Sequence, residues 1–215
     1  MLARFDCRAA IYDRENRFLD QDFEELRAAG YLTMAVPEEF GRPGLSLAEV
    51  CSAQRRRAYY APATALAVNM HLYWIGVAAD LWRRGDTSLE WMLREAAAGE
   101  IFAAGHAETG NDIPLLLSTT KAERVDGGYR FTGRKQFGSL TTVWTRFGLH
   151  AMDSSDPGRP KIVHAFMPRD NGGYMIKETW DVLGMRATRS DDTVLENVFI
   201  ADRHIARGSG WRCWH

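Results

Sequence analysis

Residues 126–140 read DGGYRFTGRKQFGSL, and this stretch sets the fold class of the second half of the 215-residue chain. Tyr129 and Phe131 alternate with polar neighbours, which is the two-residue period of a β-strand with one buried face. Asp126-Gly127-Gly128 lies between two such runs and has the composition of a hairpin turn. The stretch therefore predicts a β-hairpin.

Further strand-like runs follow this hairpin towards the end of the chain. Short strands of this kind, separated by turn residues, are typical of an antiparallel barrel or sandwich. The predicted strands cover residues 143–152, 161–168, 174–180 and 193–200.

The first half has a helical period instead. Residues 20–29 place Phe23 and Leu26 on one face of a helix, and Gly30 is a suitable stop. Ser46-Leu47-Ala48-Glu49 has the spacing of a capping box, in which the serine hydroxyl and the glutamate carboxylate satisfy unpaired N–H groups. After it, we expect an inward-facing stripe formed by Leu47, Val50 and Cys51.

The same signature recurs in Thr87-Ser88-Leu89-Glu90, which predicts a second capped helix. Gly99 would end this helix. Its expected buried residues are Leu89, Met92, Leu93 and Ala96.

Residues 61–79 contain no charged side chain and approach the length of a membrane span. The segment includes Pro62, Asn69 and His71, and it is rich in small alanines, so we favour a buried central helix of a globular domain. In that setting, His71 is expected to be a hydrogen-bonded core residue. The fold class is then α+β, with an all-helical domain (1–99), an antiparallel β-barrel or sandwich domain (100–207) and an unmatched tail (208–215).

Charge and cysteine content exclude several classes of protein. The formal net charge is −1, so no general attraction to nucleic acid or an anionic membrane is expected. The run Arg55-Arg56-Arg57 is interpreted as a solvated helix face. The three cysteines form no CxxC pair and favour a reducing, cytoplasmic setting.

Common catalytic motifs are absent from the sequence. It contains no GxGxxG dinucleotide motif, Walker A loop or GxSxG elbow, and its six histidines lack metal-ligand spacing. We therefore predict no metal site, and the residue patterns alone define only a helical region followed by a β-region.

Four segments, in order, resemble the acyl-CoA dehydrogenase family. LRAAGYLTMAVPEEFGRPGLSLAEV (26–50) is similar to the family's N-terminal helical region. IFAAGHAETGNDIP (101–114) and YRFTGRKQFGSL (129–140) occupy the places of its two flavin-contacting segments. WDVLGMRATRSDDTVLENVFIADRHI (180–205) resembles the Leu-Gly-Met-Arg strand and the closing strand of the middle β-domain.

The resemblance implies an FAD cofactor and a set of contacts to it. Phe137 stands where the family commonly has a tryptophan against one flavin face, and Ser139 stands at a hydroxyl position close to flavin N5. Gly105 and His106 would offer backbone groups to the pyrimidine edge of the ring. Flavin contacts are also assigned to Phe102 and Gly138.

The first flavin segment departs from the family pattern. The family usually has Thr-Glu-Pro followed by Gly-Ser-Asp, and here Asn111 replaces a serine that often contacts the thioester ligand. Asn111 is accordingly the candidate substrate contact. Glu108 lies in this loop, but the family's catalytic base comes from its C-terminal domain, so Glu108 is expected to order its own loop. No catalytic residue is assigned.

The leading functional hypothesis is a truncated acyl-CoA dehydrogenase of fatty acid metabolism. Such an enzyme transfers a hydride from an acyl thioester or another small hydrophobic substrate to FAD. Because the resemblance fades after Arg207, the chain alone is expected to bind FAD weakly and to be inactive, with homo-oligomerisation in any longer form. The alternatives are a reduced-flavin monooxygenase of the same superfamily and a non-catalytic binding module.

Overall fold

A computed structural model of the chain describes residues 1–110 and 117–206. These residues form two compact units. The helical unit comprises Met1–Ile101 and Asp181–Arg189, and the sheet unit comprises the other described residues, 102–180 and 190–206. The predicted domain boundaries stay predictions.

Five α-helices form the helical unit, together with short 3-10 turns. They are α1 (Leu2–Glu15), α2 (Asp20–Ala28), α3 (Leu47–Tyr60), α4 (Pro62–Arg83) and α5 (Glu90–Ala97). In α2 the predicted face is correct, because Phe23 and Leu26 are both buried. Gly30 follows α2 with φ +70°, a conformation that glycine adopts without strain.

The capping box at the start of α3 is present as predicted. The Ser46 side chain accepts a hydrogen bond from the Glu49 amide, and the Glu49 carboxylate accepts one from the Ser46 amide at 2.8 Å. The stripe predicted after it is wrong in part. Val50 is buried, but Leu47 and Cys51 are exposed. The described residues do not cover these two side chains of α3.

The second predicted capping box does not form. Leu89 is the N-cap of α5 without a side-chain hydrogen bond, and the turn before it is closed by the Thr87 carbonyl, which accepts from the Glu90 amide. The buried face of α5 is nonetheless as predicted, with Leu89, Met92, Leu93 and Ala96 all buried.

The central helix α4 carries the core of the helical unit. Trp74 and Ile75 are completely buried, and His71 is buried with its Nε2 3.0 Å from the Leu32 carbonyl oxygen, as predicted for a core histidine. Burial lowers the pKa of His71 to about 4, so its ring is neutral at pH 7. In the described residues we find no helix with the length and apolar character to cross a membrane.

The predicted solvated face at Arg55-Arg56-Arg57 is wrong for its third member. Arg57 is buried, and its guanidinium lies over the rings of Phe5 and Tyr31 at 4.7 and 4.6 Å. The two rings compensate part of the lost hydration by cation–π attraction. Arg55 and Arg56 are exposed, as expected.

Seven strands form the sheet unit. They are β1 (Phe102–Gly105), β2 (Lys121–Val125), β3 (Gly128–Gly138), β4 (Arg146–Asp153), β5 (Lys161–Pro168), β6 (Tyr174–Lys177) and β7 (Asp191–Ala201). β2 and β3 form the predicted hairpin, in which Val125 pairs with Gly128 across Asp126 and Gly127. β5 has its predicted bounds, whereas β6 ends three residues earlier than expected.

The sheet is mixed, so the purely antiparallel prediction is wrong. The strand order is β1-β4-β2-β3-β7-β6, with β5 paired to β4. β4 runs parallel to β1 and, at one position, to β2, while the other pairs are antiparallel. A bridge between Ala165 of β5 and Ile205 after β7 shows that the sheet curls.

The Leu-Gly-Met-Arg segment is not a strand, contrary to the prediction. Residues 181–189 form a loop with a 3-10 turn at Arg186–Thr188, and Met185 and Arg189 have positive φ. Within the helical unit, the Arg186 Nε donates to the Asp13 carbonyl oxygen at 2.9 Å. The 3-10 turn between these two left-handed residues interrupts the extended conformation that strand pairing requires.

The two similar sequence signatures in the helical unit give a matched test of capping. We expect Ser46→Ala to destabilise the helical unit by about 1 kcal/mol, since the hydroxyl satisfies a helix N-terminal amide. Thr87→Ala should leave stability nearly unchanged, because the Thr87 side chain does not cap α5. Urea unfolding followed by circular dichroism measures both, and equal losses in the two variants would contradict the assignment.

Candidate functional site

The two predicted flavin-contacting segments lie side by side in the sheet unit. Ala107, just after β1, forms an isolated bridge with Gln136 of β3, and the Gln136 amide donates to the Ala107 carbonyl oxygen at 2.9 Å. The neighbouring residues Glu108 and Lys135 form an ion pair of 2.6 Å. The structure thus brings together two segments that are about 30 residues apart in sequence.

Glu108 is the centre of this arrangement. Its carboxylate is buried and accepts hydrogen bonds from the Ser118 hydroxyl, the Thr119 and Thr120 amides and the Thr120 hydroxyl, in addition to Lys135. The prediction that Glu108 orders its own loop is therefore confirmed. Because both oxygens of this carboxylate accept hydrogen bonds from buried or half-buried groups, we interpret it as a structural anchor.

Electrostatics keep both members of the pair charged at neutral pH. Burial raises the pKa of the Glu108 carboxyl, but its hydrogen bonds outweigh burial and hold the pKa well below its ordinary value. Burial lowers the pKa of the Lys135 ammonium to about 8, although the hydrogen bond and the charge of Glu108 act to raise it. At pH 7 an ion pair of full charges is buried between β3 and the loop.

Immediately after Lys135, the backbone of β3 is irregular. Its pairing with β7 shifts between Lys135 and Gly138, and Phe137 within this bulge has φ +56°. Such a bulge re-aims side chains, and a left-handed aromatic residue is an uncommon conformation that suggests a function. The Phe137 ring is 45% exposed and stands edge-on to Trp180, with ring centroids 5.9 Å apart.

Ser139 follows two residues later, and its amide donates to the Phe137 carbonyl oxygen at 2.9 Å. Its hydroxyl oxygen is 2.7 Å from that of Ser190, and both side chains are buried. The Thr141 hydroxyl donates to the Gly138 carbonyl oxygen at 2.6 Å and accepts from the Asp191 amide. Hydrogen bonds from neighbouring hydroxyls therefore fix the backbone and the side chain at this position.

Three of the predicted flavin contacts have a packing role in the structure. Phe102 is fully buried against Phe166, with ring centroids 5.8 Å apart. Gly105 and Gly138 both lie against the ring of Phe147. A Cβ would stand 2.1 Å from that ring at Gly105 and 3.0 Å at Gly138. All three residues are buried, and their flavin contacts stay predictions.

His106 belongs to a cluster that the sequence did not reveal. Its ring centroid is 5.3 Å from that of His150 and 6.3 Å from that of His164, and the latter two are direct partners across β4 and β5. Burial, followed by the charges of neighbouring groups, lowers the pKa of His106 to about 3 and those of His150 and His164 to about 4. All three rings are neutral at pH 7.

No metal site is built from this cluster. Across residues 1–110 and 117–206, no group of three or more histidine, cysteine, aspartate or glutamate side chains has a geometry that could hold a metal ion. Asn111, the predicted substrate contact, lies outside the described residues. Three residues of this region are not among the predicted site residues: Trp180, Ser190 and Lys135. Of these, only Lys135 carries a sequence signal, as the lysine of the Gly-x-Lys in the second segment.

The helical unit contains a separate groove of about 610 Å³. Most of its wall is apolar, which suits a small organic molecule. Gln54 and Asn69 add polar groups to the wall, and the Gln54 amide nitrogen donates to the Asn69 amide oxygen at 3.2 Å. Apolar residues of the lining include Leu45, Leu47, Val50, Leu72 and Val77.

Comparison with known proteins finds a family model that matches the first part of the chain and relatives that match nearly all of it. Residues 3–103 match the family model described as "Acyl-CoA dehydrogenase, N-terminal domain". The chain is 28% identical to a putative acyl-CoA dehydrogenase, YdbM, from Bacillus subtilis, with 96% of this chain and 56% of that protein covered. It is 29% identical to an L-evernosamine nitrososynthase from a Micromonospora species, with 97% and 50% covered.

A solved structure gives the same relation. The chain is 30% identical to KijD3 in complex with FMN and dTDP-3-amino-2,3,6-trideoxy-4-keto-3-methyl-D-glucose, with a TM-score of 0.83. The match covers 95% of this chain and 50% of that one. The chain thus spans about half the length of the curated relatives it matches.

Removing the charge of Glu108 should destabilise the sheet unit strongly. We expect Glu108→Gln to cost about 3–5 kcal/mol, because the buried Lys135 ammonium loses its counter-charge. Lys135→Met should cost less, since the carboxylate keeps the donors from Ser118, Thr119 and Thr120. Urea unfolding measures both losses. The control is Arg124→Gln, which breaks an exposed pair with Asp202 and should change little; a similar loss there would contradict the prediction.

The histidine cluster should make stability sensitive to acid. Unfolded histidines bind protons near pH 6.5, whereas the folded cluster does so only near pH 3 to 4, so stability falls as pH drops from about 6.5 to about 4. Each histidine contributes about 1.4 kcal/mol per pH unit in this window. His164→Gln should reduce the slope of unfolding free energy against pH by about 1.4 kcal/mol per pH unit, which is the contribution of one proton. An unchanged slope would show that His164 titrates normally in the folded state.

Proposed function

Because the chain belongs to the acyl-CoA dehydrogenase family, we propose that it is the flavin-contacting part of a flavin-dependent monooxygenase that oxidises nitrogen or sulfur in a small molecule. The observation that carries this proposal is the exposed aromatic ring of Phe137 close in sequence to the Ser139 hydroxyl, in a chain whose relatives include nitrososynthases and a dibenzothiophene monooxygenase. Relatives named as nitrososynthases are 29% and 30% identical to this chain. The proposed cofactor is FMN, which one structure of a 30% identical neighbour contains.

The residues of the site fit an isoalloxazine ring. Phe137 presents an exposed aromatic face beside Trp180, which suits stacking on a flat conjugated ring. Ser139 would supply a hydroxyl one position beyond Gly138. The end of β1 at Gly105 and the following residue, His106, would supply backbone groups. These residues would hold the ring; Asn111 remains a proposed substrate contact.

The chemistry itself comes from the cofactor. A bound reduced flavin would supply the two electrons with which O2 gives one oxygen atom to an amine or thioether and the other to water, and a separate reductase would restore the reduced form. The chain's residues would orient the ring. Glu108 is not assigned as a base, because its carboxylate is paired with Lys135 and its pKa lies well below the ordinary value.

A dehydrogenase of acyl thioesters is the second candidate. It is favoured by the similarity to the putative acyl-CoA dehydrogenase of Bacillus subtilis. Against it, the first flavin segment lacks the family's Thr-Glu-Pro and carries Asn111 in place of serine. These changes fall where a thioester ligand is expected, so they weigh against the substrate more than against the flavin.

Flavin titration tests the proposed site. We expect the fluorescence of FMN to be quenched when FMN binds to the chain. Phe137→Ala should weaken FMN binding about tenfold, because aromatic stacking is lost. Phe199→Ala is the matched control, because Phe199 is a comparably exposed aromatic residue elsewhere on the sheet unit. Equal effects of the two substitutions would place the flavin elsewhere.

Two assays then separate the candidate reactions. With reduced FMN and O2, mass spectrometry should detect an oxygenated product from a panel of primary amines and thioethers, and none when O2 is omitted. Anaerobic mixing of the flavin-loaded chain with acyl-CoA thioesters should leave the flavin absorbance at 450 nm unbleached. Bleaching by a thioester without oxygenation of any amine or thioether would favour the dehydrogenase.

A further inference from the structure

Ser139 and Ser190 form a buried pair of hydroxyl groups, which we call the serine pair. Their oxygens are 2.7 Å apart, and the residues are 6% and 3% exposed. They lie 51 residues apart in sequence and meet because Gly138 pairs with Asp191 across β3 and β7. The proposed flavin contact involves Ser139 alone, so Ser190 has no assigned role.

A hydroxyl has one proton to donate and two lone pairs to accept with. Within the serine pair, one proton lies between the two oxygens. If Ser190 donates it, the Ser139 proton is free to donate to a third group. If Ser139 donates it, a lone pair of Ser139 is free to accept from that third group. The pair can therefore change from donor to acceptor by rotating two O–H bonds, with its heavy atoms fixed.

This property matches what N5 of a flavin requires. N5 accepts a hydrogen bond in the oxidised ring, and it carries a proton and donates in the reduced ring. A side chain facing N5 must therefore change its role when the ring is reduced. When Ser139 accepts from N5–H, its own buried proton needs an acceptor, and the Ser190 oxygen at 2.7 Å is correctly placed. When Ser139 donates to N5, it needs nothing from Ser190.

We propose that Ser190 is a positioning residue that favours the reduced flavin by accepting the proton of Ser139. This inference rests on the proposed function, because it places N5 beside Ser139. Loss of the Ser190 hydroxyl should weaken the binding of reduced FMN about tenfold more than that of oxidised FMN. For a two-electron couple, this tenfold change lowers the midpoint potential of the bound flavin by about 30 mV.

The test compares the affinities of the two redox forms in five variants. Oxidised FMN is titrated in air and dithionite-reduced FMN under anaerobic conditions, and the ratio of the two dissociation constants is the readout. Ser190→Ala and Ser190→Val should both lower the preference for the reduced form. Ser190→Thr, which has the shape of valine and keeps the hydroxyl, should restore it. Ser139→Ala removes the contact to N5 in both redox states and should weaken the binding of both forms. In the Ser139→Ala background, Ser190→Ala should change the ratio no further.

Each outcome decides a different point. If Ser190→Ala and Ser190→Val weaken both redox forms equally, Ser190 has only a structural role and the inference fails while the flavin site stands. If threonine and valine at position 190 behave alike, the hydroxyl is irrelevant and the inference also fails. If the unsubstituted chain binds neither form, the proposed function and the inference fall together. Thermal unfolding of every variant tests whether the fold is retained. If Ser190→Ala does not fold, the comparison of Ser190→Thr with Ser190→Val decides the question.

Discussion

The buried ion pair between Glu108 and Lys135 is the interaction on which the sheet unit depends. It joins both ends of the loop between β1 and β2 to the middle of β3. Because removing one partner leaves the other as a buried charge without its counter-charge, the pair favours one arrangement of these pieces. That arrangement places Ala107 beside Gln136 and brings the two candidate flavin segments into contact.

The ion pair also accounts for the strained backbone beside it. Phe137 keeps a left-handed conformation because β3 is held on one side by Lys135 and on the other by the pairing of Gly138 with Asp191. The consequence is an exposed aromatic side chain two residues before a buried hydroxyl. An apolar wall and one polar contact are what a flavin ring needs, so local strain and proposed cofactor binding have the same structural cause.

Much of the architecture could be predicted from short stretches of sequence. The hairpin at Asp126-Gly127, the capping box at Ser46 and the bounds of β5 each depend on residues within a few positions of one another. Their backbone preferences and alternating burial are encoded locally. The resemblance to a family supplied the expected role of Glu108, and it also supplied Phe137 and Ser139 as candidates. The resemblance also suggested a strand at residues 181–189, where the structure has a loop.

The sequence by itself therefore determined the helical first half, the β-rich second half and the segments that approach the proposed cofactor. Only the tertiary structure decided the parallel pairing of β1 with β4, the burial of Arg57 between two rings, the histidine cluster and the serine pair. In each of these cases the partners are tens of residues apart. Local patterns fix dihedral angles and the face that is buried, whereas the choice of a distant partner depends on which buried charges and polar groups can satisfy one another.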